Sequence, residues 1–296
     1  MGNVIAANQL GGREVPGDSL GMEADTWWFM WQAVVSGVAL LGGLRIGRGP
    51  RRRATIASVL AFMLMGVWLW LQRHPAVAVH AFPVQLFSYF EGTGAVPFFM
   101  FNMGIAWRCS AGSRQRRVVA LAVCLGAVYF VNGGIWMLQA TPRSLLANDS
   151  DGDVTMQSSD FSCVAAACAT VLNKLAEPDA SGIPSLRTTE SEMAILTRTR
   201  PGFGATIVRA LEGLNYKLEP TPMRAVLLEV SYEQLQALAM PAVTPLQLGM
   251  TRHHMVVLRE VNADHVEMFD PQNGDVTMMR EDFEATFSHQ VIAFER

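Results

Sequence analysis

The pattern of hydrophobic and polar positions divides the chain into two halves. Residues 27–139 hold long apolar runs separated by short Arg-rich stretches, whereas the sequence after Thr141 alternates apolar and polar positions as globular domains do. Three runs of about 20 residues contain no charged residue, which is the length a helix needs to cross a bilayer. These three runs are residues 27–44, 54–71 and 118–139. The pattern therefore predicts a membrane region followed by a globular region.

A fourth apolar stretch, residues 84–107, is interrupted by Glu91 and by Gly and Pro residues. It predicts either an irregular fourth span or a re-entrant segment followed by a short helix. Two Arg clusters, within residues 45–53 and 108–117, flank the middle of the region, and short Arg-rich loops stay in the cytoplasm. If both clusters lie in the cytoplasm, an even number of membrane crossings must separate the two clusters. We therefore expect about four spans in total. The chain is then a multi-pass protein of the inner or plasma membrane, with its C-terminal half outside the cytoplasm.

Glu91 has two interpretations. A carboxylate at membrane depth is expensive and is often functional, which favours a membrane activity centred on this residue. The alternative is a carboxylate at the outer interface of the membrane, or one that is hydrogen-bonded inside the helix bundle. The sequence leaves both open.

The globular half predicts helices first and an antiparallel sheet second. Three helical segments, the last of them expected to end at Gly213, precede six strand-like segments. That order is typical of an α+β domain with helices packed on a sheet. The predicted organisation is an extracytoplasmic N-terminal segment, a membrane region, a linker and a globular domain: residues 1–26, 27–139, 140–155 and 156–296.

Composition narrows the range of functions. The 296 residues are 50% hydrophobic and 17% charged, with a net charge of −3 and no basic face for nucleic acid. Neither a GxxxxGK[ST] loop nor a GxGxxG turn is present, so we expect no nucleotide, and we predict no cofactor and no metal. We expect the membrane region to be surrounded by the lipid bilayer. The four cysteines, Cys109, Cys124, Cys163 and Cys168, are predicted to be free thiols.

The stretch MQSSDFSCVAAACATVLN places Cys163 at the predicted start of a helix, where unpaired N–H groups and the helix dipole favour a thiolate. Cysteine is also among the most buried residue types, so a structural role is the competing interpretation. A nucleophilic cysteine needs a base and a group that orients the base. His254 at the start of one strand and Asp270 at the end of the next could meet. His253 is the competing imidazole, and it points to the opposite face of the strand.

The ordered set of Gln157, Cys163, the apolar helix, HMVVL and FDPQNG resembles the double-glycine, bacteriocin-processing cysteine peptidases, a papain-like family. The resemblance covers about residues 153–296. It implies that Cys163 is the nucleophile, His254 the general base and Asp270 the group that holds the imidazole. It also implies that Gln157 helps to form the oxyanion hole. The family commonly has Gly after the nucleophile, whereas this chain has Val164, which would narrow the space beside the thiolate.

Three functions follow from these patterns. The first is a membrane-anchored cysteine peptidase that hydrolyses a peptide bond of an exported polypeptide. The second is a catalytically silent domain that binds peptides as an adaptor in export or assembly, with membrane proteins as further partners. The third is the membrane activity centred on Glu91, with the globular domain as an accessory.

Overall fold

The structure is a computed structural model that describes residues 18–138, 154–177, 186–249 and 253–296. The predicted linker and N-terminal segment lie largely outside this part of the chain. The first six helices are α1 Asp18–Ile46, α2 Arg51–Arg73, α3 Pro75–Ala81, α4 Val84–Phe90, α5 Val96–Cys109 and α6 Ser113–Leu138. The later helices are α7 Cys163–Leu175, α8 Glu190–Leu196, α9 Ile207–Leu218, α10 Tyr232–Gln236 and α11 Arg280–Thr286. The strands are β1 Arg224–Glu229, β2 Ala242–Gln247, β3 His253–Val261, β4 His265–Asp270, β5 Gly274–Met279 and β6 Gln290–Glu295.

Within the described residues, three helices are long and apolar enough to cross a membrane: α1, α2 and α6. These three helices correspond to the three uncharged runs of the sequence. Residues 84–107 form two helices, α4 of 7 residues and α5 of 14 residues, joined by a turn in which Gly92 has a φ of +81°. At 1.5 Å per residue, α5 is about 21 Å long, which is shorter than the roughly 30 Å of a hydrocarbon core.

Glycines let α1 and α5 pack with their backbones in contact. A Cβ atom on Gly43 would lie 2.1 Å from the carbonyl oxygen of Phe101, and one on Gly104 would lie 2.3 Å from that of Leu40. A Cβ atom on Gly47 would lie 2.7 Å from the Cβ of Arg108. The two Arg clusters therefore lie at the same end of the bundle, as the sequence predicts.

The C-terminal half is an α+β domain, and the predicted fold class is confirmed. Its six strands are antiparallel, in the order β1-β6-β2-β3-β4-β5. A first core cluster lies between one face of the sheet and helices α7, α8 and α9, and a second lies between the other face and α10 and α11. Sequence analysis did not predict α10, which begins with a capping box formed by Ser231 and Gln234.

The helices of this half follow from local signals, with one exception. The hydroxyl of Thr189 accepts a hydrogen bond from the backbone N–H of Glu192 at 3.2 Å and so caps α8. The predicted end of the third helix at Gly213 is wrong, because α9 continues to Leu218. A Cβ atom on Gly213 would lie 3.2 Å from the backbone of Leu196. This glycine therefore allows α9 to pack closely on α8 rather than ending the helix.

The two halves share one hydrophobic core. Leu71, Ala76, Ala78 and Phe87, from α2, α3 and α4, belong to the first core cluster together with residues of α7 and α9. Phe87 is only 1% exposed. Because α3 and α4 follow the end of α2 remote from the Arg clusters, the globular half lies at the opposite end of the bundle. We call the contact of α3 and α4 with this half the junction.

Polar contacts complete the junction. The guanidinium of Arg198 forms an ion pair with Glu212, donates a hydrogen bond to the Ser88 hydroxyl and lies over the ring of Tyr89. The hydroxyl of Thr206 donates to a carboxylate oxygen of Glu91 at 2.7 Å. The carboxylate of Glu91 therefore contacts the globular half.

Candidate active site

Cys163 is the first residue of α7, and its side chain is half-buried. The preceding turn is fixed by Ser162, whose hydroxyl accepts from the backbone N–H of Ser159 at 3.1 Å and donates to the carbonyl of Ser159 at 3.0 Å. The apolar side chains of α7 are buried in the first core cluster and hold the helix against the sheet. Val164 is only 4% exposed and packs in this cluster. Its side chain is thus part of the core, which differs from the expected narrowing beside the thiolate.

His254 lies in β3 and is 8% exposed, whereas its neighbour His253 is exposed. Because successive side chains of a strand point to opposite faces, His254 and not His253 points into the site. Its Nε2 is 2.6 Å from Oδ1 of Asp270. Nδ1 is the ring nitrogen left for Cys163, whose thiol is hydrogen-bonded to the imidazole. The structure thus brings together Cys163, His254 and Asp270.

Antiparallel pairing of β3 with β4 explains the meeting of the imidazole and the carboxylate. Val257 pairs with Phe269, so Asp270 lies one position further along β4 in the direction of His254. Asp270 is buried, and its carboxylate accepts two more hydrogen bonds from the turn that follows. The backbone N–H of Gln272 donates to Oδ1 at 2.8 Å, and the side-chain amide of Asn273 donates to Oδ2 at 2.6 Å.

The turn itself depends on glycine. Gly274 has a φ of +81°, a conformation that side chains with a Cβ rarely adopt. The role of Asn273 was not predicted from the sequence. The available signal was an Asn three residues after an Asp at a strand end, because such side chains often satisfy polar groups of their own turn.

The electrostatics of the three residues are mutually supporting. Burial alone raises the pKa of the Cys163 thiol, but hydrogen bonds from His254 and the backbone of Met255, with the imidazolium charge, lower this pKa overall. Burial lowers the pKa of His254, but bonds to Asp270 and Cys163 outweigh it and raise the pKa to about 9. Burial raises the pKa of Asp270, but bonds to His254, Gln272 and Asn273 hold it at about 2. These directions favour a thiolate–imidazolium pair beside a carboxylate.

Gln157 lies in the segment that leads to α7. Its backbone N–H donates to the carbonyl of Pro271 at 2.8 Å, which ties this segment to the residue after Asp270. Its side-chain oxygen is buried and has no hydrogen-bond partner among the described residues. The oxyanion role of its amide stays a prediction.

The other thiols differ from Cys163. Cys168 is buried, and burial raises the pKa of its thiol, which makes it inert as a nucleophile. Cys109 and Cys124 are exposed, and all four cysteines are free thiols. Among the described residues, no group of three or more His, Cys, Asp and Glu side chains could hold a metal ion.

Comparison with known proteins addresses the resemblance. Residues 203–296 match the model of the Peptidase C39 family, a range that contains His254 and Asp270 and lies downstream of Cys163. A comparison with curated proteins finds no match.

Solved structures of peptidase domains are similar to about half of this chain. A double glycine motif protease from an AMS/PCAT transporter, in complex with the leader peptide, is 20% identical with a TM-score of 0.38, covering 48% of this chain and 89% of the other. The peptidase domain of Streptococcus ComA, a bi-functional ABC transporter involved in a quorum sensing pathway, is 14% identical with a TM-score of 0.40, covering 48% and 96%. The peptidase domain of Streptococcus mutans ComA is 15% identical with a TM-score of 0.33, covering 49% and 100%. The resemblance predicted from the sequence therefore agrees with the family model, which matches residues 203–296.

Proposed function

We propose that the chain is a membrane-anchored cysteine peptidase that hydrolyses a peptide bond of an exported polypeptide. The observation that carries this proposal is the hydrogen-bonded series of Cys163, His254 and Asp270. A structural cysteine would need neither a buried imidazole beside it nor a buried carboxylate behind that imidazole. A nucleophile needs both.

The geometry supports a sequence of proton transfers. The Cys163 thiolate attacks the substrate carbonyl carbon, and the electron pair of the C=O bond moves to oxygen. The His254 imidazolium donates its proton to the leaving amine as the C–N bond breaks, which leaves a thioester on Cys163. Neutral His254 then takes a proton from water, whose oxygen attacks the thioester and releases the acid and the thiolate. Asp270 keeps Nδ1 of His254 directed at the sulfur and stabilises the imidazolium.

The amide of Gln157 is proposed as one donor to the developing oxyanion, and the backbone N–H of Cys163 as the other. One such donor contributes about 3 kcal/mol to transition-state stabilisation. The contact between the Gln157 segment and Pro271 supports this placement, because it links the amide-bearing segment to the turn of Asp270.

The membrane part of the proposal rests on the apolar surface of α1, α2 and α6. The Arg clusters lie at one end of this bundle and the globular half at the other. Since Arg-rich loops stay in the cytoplasm, the proposed active site faces the extracytoplasmic side, where an exported chain passes.

The test uses the full chain in detergent micelles, with Cys109 and Cys124 replaced by Ser to remove the exposed thiols. Quenched fluorogenic peptides, including members with Gly–Gly, report hydrolysis, and alkylation of Cys163 by iodoacetamide reports thiolate reactivity. We expect hydrolysis that Cys163→Ala abolishes and His254→Ala reduces by at least about 10²-fold.

A variant outside the site serves as the control. His253→Ala changes the neighbouring exposed imidazole and should retain wild-type turnover. Peptide binding without turnover, unchanged by Cys163→Ala, would instead select the silent adaptor. A phenotype that is lost in Glu91→Gln and kept in Cys163→Ala would select the membrane activity.

A further inference from the structure

The short segment before α7 is clamped by three separate elements. The backbone N–H of Thr155 donates to the hydroxyl of Thr170 in α7 at 3.0 Å. The N–H of Gln157 donates to the carbonyl of Pro271 at 2.8 Å, as described above. The N–H of Ser158 donates to Oε1 of Glu190, in α8, at 2.9 Å. The last two bonds hold the two backbone amides on either side of the Cα atom of Gln157.

Glu190 is an unusual member of this set. Its side chain is completely buried, at 0% exposure. Its second carboxylate oxygen, Oε2, has no hydrogen-bond partner among the described residues, and neither do Oε1 of Gln157 and the hydroxyl oxygen of Ser158. Burying a carboxylate with one oxygen unpaired is unfavourable for stability. Stability alone therefore does not account for Glu190.

We propose that Glu190 is a positioning residue for the reaction: by holding the Ser158 N–H, it fixes the neighbouring Gln157 amide where the oxyanion develops. This inference rests on the proposed peptidase function. Glu190 acts through the segment of residues 157–158 and does not touch Cys163, His254 or Asp270 in any contact described above. Displacing a catalytic group by about 1 Å lowers a rate by about 10²-fold, which is the size of effect expected here.

The test separates oxyanion stabilisation from thiolate reactivity. Hydrolysis passes through an oxyanion, whereas displacement of iodide from iodoacetamide by Cys163 builds no oxyanion. We therefore expect Glu190→Ala to lower kcat for a fluorogenic peptide by about 10-fold to 10²-fold with little change in KM. The rate of Cys163 alkylation and its pH midpoint should stay within about twofold of the wild-type values, since the thiolate–imidazolium pair is untouched.

Two further variants identify the mechanism. Glu190→Gln keeps an acceptor oxygen at the same place and should recover most of the lost kcat. Gln157→Ala should lower kcat by a similar factor, and the double variant Gln157→Ala with Glu190→Ala should be no slower than Gln157→Ala alone. The control is Glu192→Ala, which removes a carboxylate from the same helix that bonds instead to Thr188 and Lys217. It should leave kcat unchanged.

A peptide aldehyde ending in Gly–Gly provides a readout that needs no turnover. Its addition to Cys163 forms a hemithioacetal whose oxygen occupies the oxyanion position, and its affinity is measured by protection of Cys163 from iodoacetamide. Glu190→Ala should weaken this protection by the same factor as kcat. Equal aldehyde affinity in wild type and Glu190→Ala, or a parallel fall in alkylation, would overturn the positioning role. A wild-type protein that binds the aldehyde but hydrolyses no peptide would overturn the proposed function alone, and one that does neither would overturn both.

Discussion

The helical bundle and the globular half are built in opposite ways. The long helices of the bundle expose large apolar side chains, including Leu41 at 65%, Met63 at 63% and Leu125 at 61%. Its helices approach through glycine, as between α1 and α5. The globular half instead buries its large apolar side chains in two clusters on the faces of one sheet.

The difference shows which force organises each region. In the globular half, removal of apolar surface from water drives folding. In the bundle that surface points outward, so close packing between small residues has to hold the helices together, as it does in lipid. The junction belongs to both halves, because α3 and α4 place apolar side chains of the first half into the hydrophobic core of the second. The core of the globular half is therefore completed by side chains from the first half.

The largest expected effect comes from removing the side chain that joins the two cores. Phe87→Ala should destabilise the globular half by about 3–5 kcal/mol, because it leaves a cavity in the first core cluster. The measurement is thermal unfolding of the full chain in detergent, followed by limited proteolysis of the C-terminal half.

Leu86→Ala is the matched control, since this neighbour is 37% exposed. It should change the free energy of unfolding far less than Phe87→Ala. Equal effects of the two variants would mean that the junction contributes no core to the globular half.

The second effect concerns the bundle. Gly43→Ala should destabilise the packing of α1 on α5 by about 1–3 kcal/mol, because the new Cβ would lie 2.1 Å from a carbonyl oxygen. Gly37→Ala, on the same helix, meets nothing within 4 Å and should be neutral or stabilising, because alanine favours helix. Thermal unfolding in detergent measures both variants. Identical melting temperatures would show that close packing does not hold the bundle.

Sequence reasoning reached the globular half more fully than the bundle. Alternating strands predicted all six members of the sheet, and His254 and Asp270 were found because strand ends and turn residues are local signals. The interruption of residues 84–107 was predicted from Glu91, Gly and Pro, but the contact that Glu91 makes there was not, because its partner Thr206 lies 115 positions away in the chain. Glu190 was also missed. A Glu at the start of a helix looks like an ordinary partner of the helix dipole, and only the fold reveals its burial.

The third effect is the pH dependence of the site. The pKa of Asp270, about 2, keeps its carboxylate charged above pH 4 or so, and this charge helps to raise the pKa of His254 to about 9. Asp270→Asn removes that support, so the imidazolium is lost at lower pH and the pKa of the Cys163 thiol rises. The pH midpoint of Cys163 alkylation by iodoacetamide should therefore move upward.

The free energy of unfolding should depend on pH through the same two charged groups, His254 and Asp270. The raised pKa of His254 stabilises the folded state fully below its unfolded value of about 6.5 and ceases to do so as pH rises through about 9. The lowered pKa of Asp270 stabilises it above about 3.9, and this is lost as pH falls through about 2. The difference in melting temperature between wild type and Asp270→Asn should thus be full between about pH 4 and 6.5 and shrink toward pH 9. A constant difference across this range would exclude the charged pair.

The smallest effect comes from an exposed ion pair outside the active site. In this pair, Nη2 of Arg224 in β1 lies 2.7 Å from Oε2 of Glu295 in β6, but the Arg224 side chain is 72% exposed. Arg224→Ala should change the free energy of unfolding by about 1 kcal/mol or less, because water and salt already screen both charges. Denaturant unfolding at low and high ionic strength measures this, and the small difference should vanish in high salt. A loss of several kcal/mol would mean that the outer edge of the sheet depends on this ion pair.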